Sequence, residues 1–213
     1  MSWTTSSRGP TLALTGRRVM LRPLTVSDFE AWREVRIRAR DWLLKWEPRP
    51  LPGQPDATED RRVFAARCGA RERERQLGSG YGFGIFAGED RSRFAGEINL
   101  SSVQRGPYQN AYVGYWIDEA VAGRSYTPEA FVVLCRFAFE ELGLHRLQAS
   151  IIPRNAASRR VAAKVGLRDE GTAVRYLEIN GRWEDHVRYA ITSEEWAERR
   201  EDYLARWILP EPA

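Results

Sequence analysis

The spacing of hydrophobic positions divides the chain into a helical first part and a strand-rich remainder. Apolar side chains recur at helical spacing from Phe29 to Ile37, and Trp42 and Trp46 share one face of a second short helix. From Tyr81 onward, short apolar runs bounded by glycine and polar turns are typical of strands. The predicted strands are 18–22, 81–87, 93–100, 111–118, 146–152, 172–179 and 184–191.

Further helices interleave with these strands, at 57–77, 128–142, 156–165 and from 194 to the C-terminal region. The order of a strand, two or three helices, three strands and then αβαββα predicts an α/β fold around a mixed sheet. Four prolines in "EPRPLPGQPD", residues 47–56, predict a loop within that fold. At 213 residues, we expect a loose tail over 1–13 and one domain over 14–213.

Composition excludes several classes of protein. Hydrophobic residues make up 43% of the chain and charged residues 29%, which is typical of a globular protein. The longest apolar run, 131–135, is far shorter than the roughly 20 residues of a membrane helix. The first residues show no secretory signal pattern, so we expect a cytoplasmic protein without a membrane partner.

Charge and metal-ligating residues add little. The net charge of +4 suits an anionic cofactor or a nucleoprotein neighbour but is too weak to predict a sequence-specific nucleic-acid partner. Cys68, Cys135, His145 and His186 are isolated along the chain, so we expect no metal site.

The stretch "DEAVAGRSYTPEAF", residues 118–131, carries the first candidate chemistry. A strand ends at Asp118, a loop with Gly123 and Ser125 follows, and we expect Thr127 to cap the next helix. Backbone N–H groups at such a helix start bind phosphates, and Arg124 adds positive charge. A plain turn between strand and helix explains the same residues equally well.

The second candidate is "IIPRNAASRRVAAKVGLRDEG", residues 151–171. Asn155 as N-cap and Gly166 as the left-handed C-terminal residue account for an ordinary capped helix. Ser158 lies in the first turn, where a hydroxyl contributes little to the helix and can contact a ligand beyond its end.

Together these stretches resemble the GNAT superfamily of acetyl-CoA-dependent N-acyltransferases. "AGRSYTPEA" is similar to its pyrophosphate loop and "NAASRRVAAKVGL" to its second cofactor helix. Within the superfamily the chain most resembles the RimJ and RimL group of ribosomal-protein alanine N-acetyltransferases, the RimJ branch above all. The resemblance covers about residues 15–196 and includes "KWEP" at 45–48, "RGPYQNAYVGYWID" at 105–118 and "YLEINGRWEDH" at 176–186.

The resemblance implies a GNAT fold, with a mixed, mostly antiparallel sheet of about seven strands that splays between 111–118 and 146–152. It implies acetyl-CoA as cosubstrate, with Asn155 on the pantetheine arm and Ser158 near the sulfur. The remaining implied cofactor residues are Tyr115, Trp116, Ile117, Gly123, Arg124, Ser125, Tyr126 and Thr127. The loop departs from the family pattern at Ala120, which replaces a Gln or Arg, and at Ser125, which replaces a second glycine.

Acetyl transfer requires a neutral amine and a stabilised leaving thiolate. A protein α-amine has a pKa of about 7.7 to 8.0, so one carboxylate acting through a water can suffice as base. We expect Glu97 in this role, with Glu178 second, although Glu97 can also be an exposed strand carboxylate without a role. Ser158 is expected to hydrogen-bond the thiolate, and Tyr176 either assists or packs.

In this family the early helices wall the acceptor groove, which places Trp42, Trp46 and Glu47 there; the two tryptophans can equally be core residues. The sequence therefore predicts an N-acetyltransferase acting on the N-terminal amine of a protein, a ribosomal protein with N-terminal Ala or Ser. The transfer is expected to be direct attack in a ternary complex, by a monomer or weak homodimer. The alternatives are acetylation of a small amine, such as an aminoglycoside or polyamine, and a non-catalytic acyl-CoA-binding module.

Overall fold

A computed structural model describes residues 12–50 and 53–209. The predicted tail at 1–13 therefore lies outside the described residues up to residue 11. The strands of the described part are β1 (Leu14–Thr15), β2 (Val19–Arg22), β3 (Tyr81–Ala87), β4 (Arg93–Gln104), β5 (Asn110–Ile117), β6 (Arg146–Ile151), β7 (Arg168–Ile179) and β8 (Arg182–Thr192). The helices are α1 (Phe29–Arg38), α2 (Arg40–Leu44), α3 (Arg61–Leu77), α4 (Tyr126–Arg136), α5 (Ala156–Val165) and α6 (Ser193–Tyr203).

The eight strands of the described residues form one mixed sheet in the order β1-β2-β3-β4-β5-β6-β8-β7. Every neighbouring pair is antiparallel except β5 and β6, which are parallel. The α/β fold and the mostly antiparallel sheet are thus confirmed. The expected seven strands become eight because Leu14 and Thr15 pair with β2, and a two-residue strand is too short to show a hydrophobic period.

The sheet opens between its two parallel strands. β5 and β6 pair only over Asn110 to Tyr112 and Arg146 to Gln148. Beyond that point β6 continues to pair with β8, and β5 with β4 as far as Ile117. The edge of β5 over residues 113–117 that faces β6 is therefore left without a strand partner, which confirms the expected splay.

Helices cover the sheet with apolar side chains. In α4 every residue from Thr127 to Cys135 is buried, as expected for a helix that is apolar on nearly all sides. A smaller aromatic cluster joins α1 and α3 to the sheet, where Trp32 and Phe64 lie 4.8 Å apart between ring centroids. These two groups of contacts hold α4, and α1 with α3, against the sheet.

Gly96 permits a close approach of β4 and β5 beside the splay. A Cβ at this position would lie 2.2 Å from the carbonyl oxygen of Trp116, closer than any real Cβ contact. Only glycine can therefore occupy the position next to Glu97 without moving β5.

Three helix starts differ from the sequence-based expectations. Asp60 caps α3, through a hydrogen bond from Arg62 N to its Oδ1 at 2.7 Å, so the helix begins at residue 61 rather than 57. α6 begins at Ser193 rather than 194, and Thr192 caps it together with Glu195. The third, α4, begins two residues earlier than predicted, which changes the geometry of the candidate phosphate loop.

Candidate active site

A cleft of about 840 Å³ lies along the open edge of β5. Tyr115, Trp116 and Ile117 line it, together with the loop before α4 and the start of α5. The cleft continues to side chains of α1, α2 and α3. The starts of α4 and α5 and the side chains of α1, α2 and α3 therefore line one continuous space.

The loop before α4 has backbone geometry suited to an anion. Gly123 and Ser125 both have positive φ, of 82° and 64°, so successive N–H groups there point in similar directions. The first turn of α4 adds N–H groups that have no acceptor within the helix. Asp118 fixes the base of this loop, because it is fully buried, accepts a hydrogen bond from Ala120 N at 3.1 Å and pairs with Arg38 at 2.6 Å.

Thr127 was predicted as the helix cap, and this is wrong. Ser125 is the residue before the helix, and Thr127 is buried in its first turn, although Gly123, Ser125, Tyr126 and Thr127 all line the cleft. The earlier start places the left-handed residue at Ser125, the position where the family pattern has its second glycine. Glu129 then anchors the helix, since it is 1% exposed and accepts a hydrogen bond from Val19 N at 2.9 Å.

Arg160 and Lys164 of α5 also line the cleft. The sequence analysis did not predict these two positively charged residues as part of the site. Lys164 Nζ donates to Ser125 Oγ at 2.8 Å, which joins α5 to the loop. Their spacing of four residues, on the same face of a helix that follows the candidate cap, was the available signal. Arg124, which was predicted to bind the cofactor, is exposed and does not line the cleft.

The start of α5 is as predicted. Asn155 caps the helix through its Oδ1, which accepts a hydrogen bond from Ser158 N at 3.0 Å, and Gly166 ends it with φ of 74°. Because the carbonyl oxygen of the Asn155 side chain is occupied by the cap, its NH₂ group is the part left to donate to a ligand. Asn155 and Ser158 both line the cleft.

Ser158 is bound by a side chain from the opposite wall. Its Oγ lies 2.6 Å from the hydroxyl oxygen of Tyr115, whose ring meets Phe131 edge-on at 6.1 Å between centroids. Burial raises the pKa of Tyr115 to about 12, so the phenol stays protonated at neutral pH. The two hydroxyls therefore form a neutral pair at the middle of the cleft.

Glu97 lines the cleft and its side chain is only 13% exposed, so the expectation of an exposed strand carboxylate is wrong, while its role as base stays a prediction. Trp32 Nε1 donates to its Oε1 at 2.8 Å, and Arg67 pairs with its Oε2. Glu178, the second choice for the base, is exposed on β7 and does not line the cleft.

Tyr176 also lies away from the cleft lining. Its ring meets that of His186 edge-on, at 5.9 Å between ring centroids. This contact favours the packing interpretation of Tyr176 over a catalytic one.

Trp42, Trp46 and Glu47, which were predicted to wall an acceptor groove, line the part of the cleft beside α1 and α2. Both tryptophans are only partly buried, and Leu43 between them is the residue of this segment that joins the core. Arg36 binds Glu47 through two hydrogen bonds, at 2.7 and 2.9 Å, so the carboxylate charge is already balanced.

The tip of the β7–β8 hairpin contacts the segment after α2. Asn180 N donates to the carbonyl oxygen of Glu47 at 3.0 Å, and Arg49 Nε donates to Asn180 Oδ1 at 2.9 Å. These hydrogen bonds hold the hairpin tip beside Glu47, one of the residues that line the cleft.

Comparison with known proteins decides the family. The model of the acetyltransferase (GNAT) domain matches residues 18–168 of the chain. The chain belongs to the GNAT acetyltransferase family. This GNAT chain is 32% identical over 196 residues to the [ribosomal protein uS5]-alanine N-acetyltransferase of Escherichia coli (strain K12), an alignment covering 91% of the chain and 97% of the relative.

Two further comparisons cover most of the GNAT chain. It is 34% identical over 178 residues to the probable N-acetyltransferase YjcK of Bacillus subtilis (strain 168), covering 84% of the chain and 96% of that protein. The solved structure of Mycobacterium smegmatis RimJ in complex with CoA-disulfide superposes with a TM-score of 0.79 at 30% identity, covering 91% and 92% of the two chains.

Within residues 12–50 and 53–209, no group of three or more His, Cys, Asp or Glu side chains is placed to hold a metal ion. Among the helices of the same residues, none is long and apolar enough to span a membrane.

Proposed function

We propose that this protein transfers the acetyl group of acetyl-CoA to the N-terminal α-amine of a protein, a ribosomal protein that begins with Ala or Ser. The observation that carries the proposal is one continuous cleft. It is lined by the helix start at residues 125–128, which suits an anion, by Ser158, and by the tryptophans Trp42 and Trp46. The alignment with the uS5-alanine acetyltransferase, at 97% of that relative's length, supports the acceptor class.

The chain offers groups for each part of the coenzyme. The N–H groups of residues 123–127 and the cations Arg160 and Lys164 suit the phosphates. The open edge of β5 offers backbone groups at the spacing of an absent strand, which suits the two amides of the pantetheine arm. The Asn155 NH₂ group lies across the cleft from that edge and provides a further donor. When bound, acetyl-CoA supplies the acetyl thioester.

The amine requires little activation. An α-amine titrates only about one unit above neutral pH, so a substantial fraction is unprotonated before it binds. Glu97 lines the cleft and is the carboxylate that we propose to receive the released proton through a water. The hydrogen bonds from Trp32 and Arg67 keep its position fixed.

The acceptor end suits a peptide terminus that carries no further positive charge. Trp42 and Trp46 provide apolar surface, while the Arg36–Glu47 pair leaves no unbalanced carboxylate to attract a second positive charge. The hairpin tip contacts the segment at Glu47 beside this end of the cleft. Glu47 therefore acts through Arg36 and the hairpin rather than as a direct ligand of the amine.

Labelled acetyl-CoA separates the candidates. The protein is incubated with peptides that begin with Ala or Ser, with the same peptides blocked at the α-amine, and with aminoglycosides and polyamines. Label on the free peptide termini alone supports the proposal. Label on the small amines alone replaces the peptide acceptor, and binding of CoA without any labelled product indicates a non-catalytic module.

A further inference from the structure

We propose that the side chain of Tyr115 is a positioning residue, whose hydroxyl donates to Ser158 Oγ and thereby directs the Ser158 proton toward the coenzyme sulfur. The inference rests on the proposed function, and it gives the Tyr115 side chain a task separate from the backbone of β5. It makes the Tyr115–Ser158 pair, rather than Ser158 alone, the donor to the leaving thiolate.

The geometry of the pair is fixed from both sides. Tyr115 Oη and Ser158 Oγ lie 2.6 Å apart, a normal distance for a hydrogen bond between two hydroxyls. The Tyr115 ring is held by its edge-on contact with Phe131 of α4. Ser158 is held by the cap that its own N–H forms with Asn155. The two hydroxyls are therefore held at hydrogen-bonding distance, because Tyr115 lies on β5 and Ser158 on α5.

The geometry allows either hydroxyl to donate, and we assign Tyr115 as the donor from the chemistry of the two groups. The Tyr115 hydroxyl also lies 3.4 Å from the Ser158 carbonyl oxygen, a longer contact than the 2.6 Å to Ser158 Oγ. A phenol is more acidic than an aliphatic hydroxyl and is therefore the better donor of the pair. In the part of the chain that the structure describes, Ser158 Oγ has Tyr115 as its hydrogen-bond partner. If Tyr115 donates, the single proton of Ser158 is left for a third group, and the space beside it is the cleft.

The protonation state of Tyr115 suits this task. Burial raises the pKa of Tyr115 to about 12, so the phenol does not lose its proton at the pH where α-amines react. A donated hydrogen bond also polarises the accepting hydroxyl and strengthens the bond that this hydroxyl donates in turn.

The reaction balances without proton loss from the pair. The amine nitrogen forms a bond to the thioester carbon, the carbon–sulfur bond breaks, and sulfur leaves with the electron pair as a thiolate. The proton lost by the amine passes through a water to the base, Glu97, and from there to the solvent. Ser158 keeps its proton and donates a hydrogen bond to the thiolate, while Tyr115 holds that proton in line.

Titration of the thiol of bound CoA tests the pair without any acceptor. The protein, Tyr115→Phe, Ser158→Ala and the double variant are saturated with CoA, and the thiolate absorbance is followed against pH. A hydrogen bond to a charged group predicts that Ser158→Ala raises the thiol pKa by about one unit. Tyr115→Phe is expected to raise it by about half a unit, and the double variant no further than Ser158→Ala.

Tyr203→Phe is the matched control. Its hydroxyl donates to the carbonyl oxygen of Val165 at 2.7 Å, at the other end of α5, so the variant removes a buried phenol hydroxyl that does not face the cleft. The bound thiol is expected to titrate there as in the parent protein. If Tyr115→Phe acts only by a general loosening of α5, the thiol pKa shifts equally in Tyr115→Phe and Tyr203→Phe. That result overturns the proposal.

Other outcomes also overturn the proposal. They are an unchanged thiol pKa in Tyr115→Phe, or shifts of the two single variants that add in the double variant. If Tyr115→Phe does not fold, the double variant, which leaves neither hydroxyl unpaired, is compared with Ser158→Ala instead. A thiol pKa that is higher in the double variant than in Ser158→Ala contradicts the pairing. A parent protein that binds CoA but labels no peptide refutes the acetyltransferase proposal while the titration still tests Tyr115.

Discussion

A charge placed at Gly123 is expected to weaken coenzyme binding strongly. Gly123 has φ of 82°, and a Cβ built there meets nothing within 4 Å, so a side chain has room but forces a left-handed backbone on a non-glycine residue. That strain costs about 1 to 2 kcal/mol of folding free energy. In Gly123→Glu a carboxylate would stand beside the phosphates. At about 5 Å and an effective dielectric constant of about 20, the repulsion between one pair of charges is about 3 kcal/mol, and solvent exposure reduces it.

The expected loss of affinity is therefore between about tenfold and a hundredfold from charge alone. Gly123→Gln, which has the same size and the same strain without the charge, separates the two effects. Calorimetric titration with CoA at low and high salt is the assay, and thermal unfolding reports the strain. The charged variant should bind much more weakly than Gly123→Gln, with a difference that shrinks as salt rises. Equal affinity of the two variants would refute a phosphate site at this loop.

Three further changes test the catalytic groups and the charge network. Ser158→Ala is expected to lower kcat by about tenfold or more while the Kd for acetyl-CoA changes little, because the lost hydrogen bond is strongest to the thiolate; equal kinetics in the variant and the parent would remove Ser158 from its role. Glu97→Gln should lower kcat by about a hundredfold, and an unchanged kcat would exclude Glu97 as base. Hydrogen bonds from Arg146 lower the pKa of Glu170 to about 2, below its ordinary value, so its stabilising contribution is full above about pH 4.5 and is lost as pH falls toward 2. Glu170→Gln should therefore show a shallower loss of stability in acid unfolding over that window, and a slope equal to the parent's would contradict the pairing.

The sequence predicted the helix α5 to the residue, and the reasons are local. Asn155 and Gly166 are strong start and stop signals, and both determine the backbone within a few residues of themselves. Short apolar runs predicted seven of the strands less accurately, since β4 continues to Gln104 and β7 begins at Arg168, outside the predicted 93–100 and 172–179. The splay between β5 and β6 was available only through the resemblance to a family, because no local pattern encodes where two distant strands separate.

The start of α4 shows where local signals mislead. Thr127 followed by Pro128 is a good cap sequence, but the helix starts at Tyr126 because the preceding residue, Ser125, adopts φ of 64°. Serine is not among the residues that favour this conformation, so the sequence gives no sign of it. The bond from Lys164 to Ser125, across 39 residues, is one of the tertiary contacts that accompany it.

The contacts that define the centre of the candidate site are long-range for the same reason. Tyr115 and Ser158 are 43 residues apart, and Glu97 is 65 residues from Trp32. Strand alternation indicates that Glu97 and Asn99 share a face, but only the packing of α1 and α3 onto β4 shows that this face lines the cleft. Side-chain chemistry could be anticipated from the sequence, while partners across the cleft could not.

Calorimetric titration of the purified protein with acetyl-CoA shows whether the loop at residues 123–127 and the start of α5 together hold one coenzyme. We expect saturable binding of one molecule per chain, weakened in Gly123→Glu. Absence of saturable binding of acetyl-CoA or CoA up to millimolar concentration would contradict it.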